Sequence, residues 1–198
     1  MSLFKQILIA VFIYNLPFGL LAQSNLPVVK GASHDFVYFN RGDSLSISEE
    51  NGQILQPVWM IYHAEEDTIG LDPGLSTRGR FRAIHLQKIF KEIALSAYYS
   101  TPFRNNILTL QPLIDSRSAE LVYYDQADIA ALVKKIDHLY PQPVIIVVHP
   151  ETVGKIIFQL SSLEDATKPV GFLSVKILLL KRKLKGQAKL HTLTYTVR

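Results

Sequence analysis

The sequence predicts an α/β fold, a three-layer α/β/α sandwich around a mostly parallel, mixed sheet, and three observations support this. From Pro57 onward, strand-like and helix-like segments alternate along the chain, which is typical of a sheet covered by helices on both faces. Residues 58–62 and 144–148 are continuous apolar runs, as in strands buried on both sides. Residues 170–180 and 187–197 alternate in polarity and predict a C-terminal β-hairpin that makes the sheet mixed.

The composition indicates a globular chain with one main domain. The chain has 198 residues, of which 48% are hydrophobic and 19% charged, so it can build a full core. It contains no cysteine, which excludes disulfides, thiolate metal sites and a cysteine nucleophile. The net charge is +4, and much of the basic excess lies at residues 181–185. That run lacks interleaved aromatic residues, so we interpret it as a solvated hairpin turn and expect no nucleic-acid partner.

Residues 1–22 have the pattern of an export signal peptide. A basic flank precedes an apolar stretch, and Ala22 is followed by polar residues, which predicts cleavage after Ala22. Asn15 and Pro17 interrupt the stretch, which is shorter than the roughly 20 apolar residues of a membrane span. We therefore expect an exported protein, periplasmic or secreted, without membrane attachment after cleavage. An uncleaved anchor is the alternative.

Residues 23–56 predict an N-terminal β extension that precedes the main domain at 57–198. Short alternating segments are separated by Asn51 and Gly52, a dipeptide typical of tight hairpins. Residues 41–43 spell the cell-adhesion tripeptide Arg-Gly-Asp, which would suit an adhesive surface protein. A simple turn is a sufficient explanation, because three matching residues arise easily by chance.

The main domain is predicted to contain four helices between its strands. Ser76 can cap the first helix, whose apolar face we assign to Phe81, Ile84 and the residues at helical spacing after them. Pro102 opens the second helix. Asp125 is assigned as the cap of the third, and residues 152–160 form the fourth. Short strands are predicted at 97–99 and 120–124.

Two histidines follow the two most apolar strands. His63 comes directly after residues 58–62, and His149 directly after residues 144–148. Ligands of open α/β sheets collect at the carboxyl ends of the strands. We therefore predict that His63 and His149 face one pocket, although two separate loop histidines would satisfy the same sequence.

Four ordered motifs surround these histidines: Tyr62-His63-Ala64-Glu65, then Leu75-Ser76 with Gly79, then Ser100-Thr101 before Pro112-Leu113, and finally Val148-His149-Pro150-Glu151-Thr152-Val153. In this order they resemble the histidine phosphatase superfamily, the phosphoglycerate-mutase-like group. The resemblance implies that His63 is the nucleophile that becomes phosphohistidine. It also implies that His149 hydrogen-bonds the phosphoryl group and balances its charge.

The sequence departs from the family pattern at the phosphate-binding positions. The two arginines of the family are replaced by Tyr62 and Asn105, and the glycine before the second histidine is Val148. Neither Tyr62 nor Asn105 brings the positive charge that a transferring phosphoryl group requires. Arg104 is adjacent to Asn105 and is our candidate to compensate. A group of three arginines at the start of the first helix offers further guanidinium groups: Arg78, Arg80 and Arg82.

The sequence therefore leaves two functions open. The first is hydrolysis of a phosphomonoester through phosphohistidine, with His63 and His149 as catalytic residues and Tyr62, Arg104 and Asn105 as substrate-binding residues. The second is a catalytically inactive pseudo-phosphatase that serves as a binding module. The expected partner is a phosphorylated small molecule or a phosphoprotein, without cofactor or metal. His63, Glu65, Asp67 and His149 could also supply nitrogen and oxygen ligands to a metal, but their spacing matches no dedicated metal motif.

Overall fold

The computed structural model describes residues 26–163, 175–184 and 187–197. The predicted signal peptide lies outside these residues. Residues 170–174 of the predicted C-terminal hairpin and residues 185 and 186 of its turn also lie outside them. Across the described residues, no helix is both long and apolar enough to cross a membrane.

The N-terminal residues form two small antiparallel sheets. The first contains β1 (Val29–Ala32), β2 (Phe36–Phe39) and β3 (Ser44–Ser46) in that order. The second pairs β4 (Glu49–Glu50) with β5 (Gln53–Ile54). Asn51 and Gly52 join β4 to β5 with φ angles of 53° and 73°, the left-handed conformations that an Asn-Gly hairpin turn requires. Residues 41–43 lie in the turn between β2 and β3.

The main sheet has six strands and is mixed, as predicted. Its strands are β6 (Gln56–Ile61), β7 (Ala97–Ser100), β8 (Leu121–Tyr123), β9 (Val144–Val147), β10 (Lys176–Arg182) and β11 (Ala188–Thr194). Their spatial order is β11-β10-β6-β9-β7-β8. Strands β6, β9, β7 and β8 are parallel neighbours. The C-terminal strands β10 and β11 form an antiparallel pair that joins β6.

Helices cover both faces of this sheet, which confirms the three-layer α/β/α architecture. The helices are α1 (Thr77–Phe90), α2 (Arg104–Asp115), α3 (Ile129–His138) and α4 (Val153–Ser161). Helices α1 and α2 share one hydrophobic cluster with alternate residues of the sheet and with the small β1–β3 sheet. Helices α3 and α4 share the cluster on the other face. The strand residues are buried by both layers, so their apolar runs are continuous rather than alternating.

The predicted apolar face of α1 is partly wrong. Phe81 and Ile84 are 60% and 44% exposed, whereas Leu86 and Phe90 are buried. Phe81 and Ile84 are three residues apart and share a helix side, but that side lines an open groove of about 860 Å³ beside the C-terminal residues. The predicted cap of α3 is also corrected, because Asp128 rather than Asp125 accepts the backbone N–H of Ala131 at 3.0 Å.

The solvated turn predicted at residues 181–185 begins later than expected. Lys181 and Arg182 are the last residues of β10 and are each only 1% exposed. Lys181 donates to the Glu49 carbonyl at 3.0 Å, and Arg182 is hydrogen-bonded inside the domain. Two charges of this basic run are therefore buried and partnered inside the domain. A count of charges along the chain does not reveal this.

Candidate active site

Strand pairing brings His63 and His149 to the same edge of the sheet. Ile61 of β6 is paired with Val147 of β9 in parallel register, and the Val148 amide donates to the Ile61 carbonyl at 2.8 Å. Two residues further along each strand, this register places His63 beside His149. Both histidines are half-buried. The sheet thus brings the two predicted site histidines together at its carboxyl edge.

The backbone around the His63 ring determines its tautomer. Nδ1 of His63 lies 2.8 Å from the carbonyl oxygen of Ala64, and a carbonyl only accepts, so Nδ1 carries the proton. The amide of Ala64 donates to Oγ1 of Thr109 on α2 at 2.9 Å. Thr109 in turn donates to the Asn105 carbonyl at 2.7 Å. His63 therefore presents an unprotonated Nε2 when the ring is neutral, and α2 fixes the backbone that orients it.

Two buried polar side chains hold His149. Its Nε2 lies 2.9 Å from Oγ1 of Thr101 and 3.1 Å from Nδ2 of Asn106, and Asn106 also donates to Thr101 at 2.6 Å. Thr101 and Asn106 are 1% and 0% exposed. The ring of Phe103 meets the His149 ring edge-on, with centroids 5.6 Å apart. His149 is thus held on several sides by β7 and the start of α2.

The same surroundings favour neutral His149. Burial lowers the pKa of His149 below its usual value, Glu151 opposes this shift, and the nearby charge of His63 adds to it. Burial disfavours a charged imidazole because the interior solvates the charge poorly. The amide nitrogen of Asn106 can only donate, so Nε2 acts as acceptor and the proton resides on Nδ1.

Glu65 joins the loop after His63 to helix α1. Its carboxylate accepts from Nε of Arg82 at 2.6 Å and also forms a short contact with Nη2 of the same guanidinium. Arg78 lies 3.3 Å from the same carboxylate. The Arg82 hydrogen bond lowers the pKa of Glu65. Glu65 therefore has a structural role between the loop and α1, and it engages two of the three α1 arginines that could otherwise reach a phosphate.

The other predicted substrate-binding residues surround the loop that follows His63. Asn105 donates through Nδ2 to Glu66 at 2.8 Å. The Arg104 guanidinium lies against Gly74, with Nε 3.5 Å from where a Gly74 Cβ would stand. The third arginine, Arg80, donates to the Leu75 carbonyl at 3.3 Å. Among these four arginines, Arg104 is the one whose guanidinium makes neither a hydrogen bond nor an ion pair with a described residue.

Tyr62 lies on the opposite side of the sheet from the α1 and α2 layer. It is 2% exposed and belongs to the hydrophobic cluster under α3 and α4, because successive strand residues point to opposite faces. Burial raises the pKa of Tyr62, and its hydroxyl has no partner among the described residues. Its assignment to substrate binding stays a prediction.

A cleft continues from His149 along the carboxyl edge of the sheet. It has a volume of about 450 Å³, and Thr101, the partner of His149, contributes to its wall. The other residues that define it come from the ends of β7 and β8 and from the loop after β8: Pro102, Phe103, Tyr123, Tyr124, Asp125 and Gln126. In the described ranges, no group of three or more His, Asp or Glu side chains is arranged to hold a metal ion.

Sequence reasoning did not identify Asn106 and Thr109 as site residues. Both are polar residues buried on α2. Asn106 contacts the His149 ring, and Thr109 accepts from the Ala64 amide beside His63. Polar residues on the core-facing side of a predicted helix are the signal that could have found them, because buried polar groups require partners.

Comparison with solved structures identifies the fold. Neither a protein-family model nor a curated protein matches the sequence. The protein histidine phosphatase SixA, solved with tungstate, aligns with a TM-score of 0.59 and 16% identity over 70% of this chain and 97% of that one. Mycobacterial glucosyl-3-phosphoglycerate phosphatase aligns with a TM-score of 0.58 and 14% identity over 72% of this chain and 100% of that one.

A third structure, YhfR of Bacillus stearothermophilus, aligns with a TM-score of 0.51 and 15% identity over 63% of this chain and 90% of that one. Identities this low establish the fold, and they leave the activity to be argued from the site. The sheet order, the helix layers and these alignments together confirm the predicted resemblance: the chain has the histidine phosphatase fold.

Proposed function

We propose that the chain is an exported phosphomonoesterase that acts through a phosphohistidine at His63. The observation that carries the proposal is the hydrogen bond from Nδ1 of His63 to the Ala64 carbonyl. It leaves Nε2 with a free lone pair at the edge of the sheet, beside His149. A nucleophile held in its reactive tautomer by a backbone acceptor is what covalent phosphoryl transfer needs.

The proposed reaction has two displacements. Nε2 of His63 forms a bond to phosphorus as the bond from phosphorus to the ester oxygen breaks, and the leaving oxygen takes a proton from solvent water. A water molecule then attacks phosphorus and releases a proton to solvent, the N–P bond breaks with its electron pair returning to Nε2 of His63, and inorganic phosphate leaves. In this proposal the Nδ1–H group of His149 donates a hydrogen bond to a phosphoryl oxygen, and the Arg104 guanidinium supplies positive charge.

Two comparisons support an oxyanion as ligand. The neighbouring SixA structure contains tungstate, a tetrahedral oxyanion, and the mycobacterial neighbour is a phosphatase. We propose the same ligand class for this chain, as a phosphorylated small molecule or a phosphoprotein. The proposed export depends on the sequence at residues 1–22, and the N-terminal residue of the mature protein recovered outside the cytoplasm would test it.

The decisive experiment is phosphohistidine trapping with a His63→Ala variant. The unmodified protein should release phosphate from 4-nitrophenyl phosphate and, with a labelled substrate, acquire an acid-labile, base-stable phosphoryl group. His63→Ala should lose both signals. His138→Ala is the matched control, because His138 is exposed on α3, away from the carboxyl edge of the sheet. Unchanged phosphate release by His63→Ala would refute the proposal.

The pseudo-phosphatase alternative is favoured by one specific observation. Asn105 stands where the family resemblance places an arginine, and it holds the carboxylate of Glu66 instead of adding positive charge. Loss of one preorganised donor typically costs roughly 10²–10³ in rate. If the unmodified chain releases no phosphate from any monoester yet binds tungstate, the binding module is the correct function.

A further inference from the structure

We propose that the cleft lined by Phe103 and Tyr123 is the leaving-group subsite, and that it selects phosphomonoesters whose alcohol carries an aromatic ring. This inference rests on the proposed function, since it names the substrate class of the same site. We call this cleft the aromatic cleft.

The order of strands places the aromatic cleft on the far side of His149 from the proposed nucleophile, His63. Along the carboxyl edge, His63 follows β6, His149 follows β9, and the cleft residues lie at or just after the ends of β7 and β8. Adjacent strands are about 4.8 Å apart, so the cleft begins beyond His149 as seen from His63. In-line displacement puts the leaving oxygen opposite the attacking nitrogen. We therefore assign the alcohol group of an ester attacked by His63 to the aromatic cleft, on the far side of the phosphoryl group from His63.

The walls of the aromatic cleft suit an aromatic ring. Phe103 and Tyr123 are 42% and 52% exposed, although large aromatic side chains are usually well buried. Tyr124, in contrast, is 5% exposed and donates its hydroxyl to the Val147 carbonyl at 2.8 Å. The volume of about 450 Å³ lies within the range of small-molecule sites. A ring between Phe103 and Tyr123 gains aromatic contacts that a saturated ring of the same size lacks.

The polar end of the aromatic cleft disfavours acidic alcohols. Asp125 is the charged residue among those that line the cleft. Its Oδ1 accepts the Ala127 amide at 2.8 Å, and its second oxygen makes no hydrogen bond with the described residues. A carboxylate on the leaving group would meet this charge, so neutral or cationic aromatic alcohols are the expected class.

The test compares two esters of similar size, one with an aromatic ring and one with a saturated ring. Benzyl phosphate and cyclohexylmethyl phosphate have leaving alcohols of similar size and basicity. The unmodified protein should hydrolyse benzyl phosphate with a kcat/KM roughly two- to tenfold higher, the range expected for an aromatic contact. Tyr123→Ala should abolish this preference, and Tyr123→Phe should retain it. Phe158→Ala removes a ring of 48% exposure on α4 and should leave the ratio unchanged.

A second pair of substrates tests the charge. Benzyl phosphate should be preferred over 4-carboxybenzyl phosphate, and Asp125→Asn should reduce that preference several-fold by removing the opposing charge. An equal preference in Asp125→Asn and in the unmodified chain would overturn the assignment of Asp125.

The outcomes separate the inference from the proposed function. Hydrolysis with equal kcat/KM for the benzyl and cyclohexylmethyl esters would overturn the aromatic subsite and leave the phosphatase standing. Absence of hydrolysis for every ester would instead refute the phosphatase. Calorimetric binding of benzylphosphonate then decides the inference: binding that weakens in Tyr123→Ala supports the subsite, and equal or undetectable binding overturns it.

Discussion

Asn106 is the residue of α2 that forms a hydrogen bond with the His149 ring. Its side chain is fully buried, its amide nitrogen reaches both Thr101 and His149, and its Oδ1 has no partner among the described residues. A buried, unpaired amide oxygen costs about 1–3 kcal/mol. Side chains that carry such a cost are often found where function requires them, and here the contact fixes the acceptor state of His149 Nε2.

Replacing Asn106 by leucine should change the tautomer of His149. Without the amide donor, Nε2 no longer has to accept from Asn106, because the remaining partner, the Thr101 hydroxyl, can accept as well as donate. We expect the ¹⁵N signal of His149 Nε2 to move from the unprotonated position toward the protonated one in Asn106→Leu. His63 is the internal control, since its Nδ1 proton is held by Ala64. An unchanged His149 signal would show that Asn106 is merely a packing residue.

The sequence predicts the positions of the two histidines but not the residues that contact them, and the reason is physical. A buried parallel strand ends at a predictable edge of the sheet, so His63 and His149 could be placed from the apolar runs before them. Neighbouring residues on α2 differ by a rotation of about 100°, so the sequence alone does not show which of them faces His149. The assignment of Asn105 to substrate binding stays a prediction, and the structure adds Asn106 as the residue of α2 that contacts His149.

At the scale of elements, the loop after β6 and helix α1 form a close joint. A Cβ added at Gly79 would lie 2.0 Å from the Glu65 carbonyl oxygen and 3.1 Å from the Glu65 nitrogen. Only glycine permits this approach. The joint also includes Ser76, which caps α1 by accepting the Gly79 amide at 3.1 Å and donates to the Glu65 carbonyl. The position of His63 thus depends on how closely α1 approaches the loop.

Gly79→Ala should therefore destabilise the protein and disturb the site together. The added carbon meets backbone atoms, which relax less easily than a flexible side chain, so we expect a loss of about 1–3 kcal/mol in the free energy of unfolding. Urea denaturation measures that loss, and phosphate release reports on the site. Gly31→Ala is the control, because nothing lies within 4 Å of its added carbon. Equal stability of the two variants would contradict the close joint.

The elements themselves were predictable to different degrees. The four helices and the hairpin followed from periodicity and proline positions, which reflect local preferences of the chain. The exposed side of α1 did not follow, because Phe81 and Ile84 have helical spacing and only the packing of α1 shows that they lie on a groove. Asp125 and Asp128 are both plausible caps, and the choice between them depends on where the chain turns into α3.

At the scale of the whole molecule, Arg182 connects elements that are distant in sequence. Its guanidinium donates to Gln56 on β6 at 2.8 and 3.0 Å and to the Leu160 carbonyl on α4 at 3.2 Å. It also forms a short ion pair with Asp137 on α3. Gln56 in turn donates to the Ile136 carbonyl at 3.2 Å. The last residue of β10 thus holds β6, α3 and α4 together around one buried charge.

Arg182→Met should test whether this buried network contributes to the stability of the domain. Methionine fills similar space but leaves buried acceptors on Gln56 and Leu160 without a donor, at about 1–3 kcal/mol for each unpaired group. We expect the free energy of unfolding to fall by about 3 kcal/mol or more, measured by urea denaturation. Lys189→Met is the matched control, because it removes an equal charge from a side chain that is 58% exposed and pairs with Glu50. An exposed pair contributes about 0–1 kcal/mol, so equal losses in the two variants would show that burial of Arg182 adds no stability.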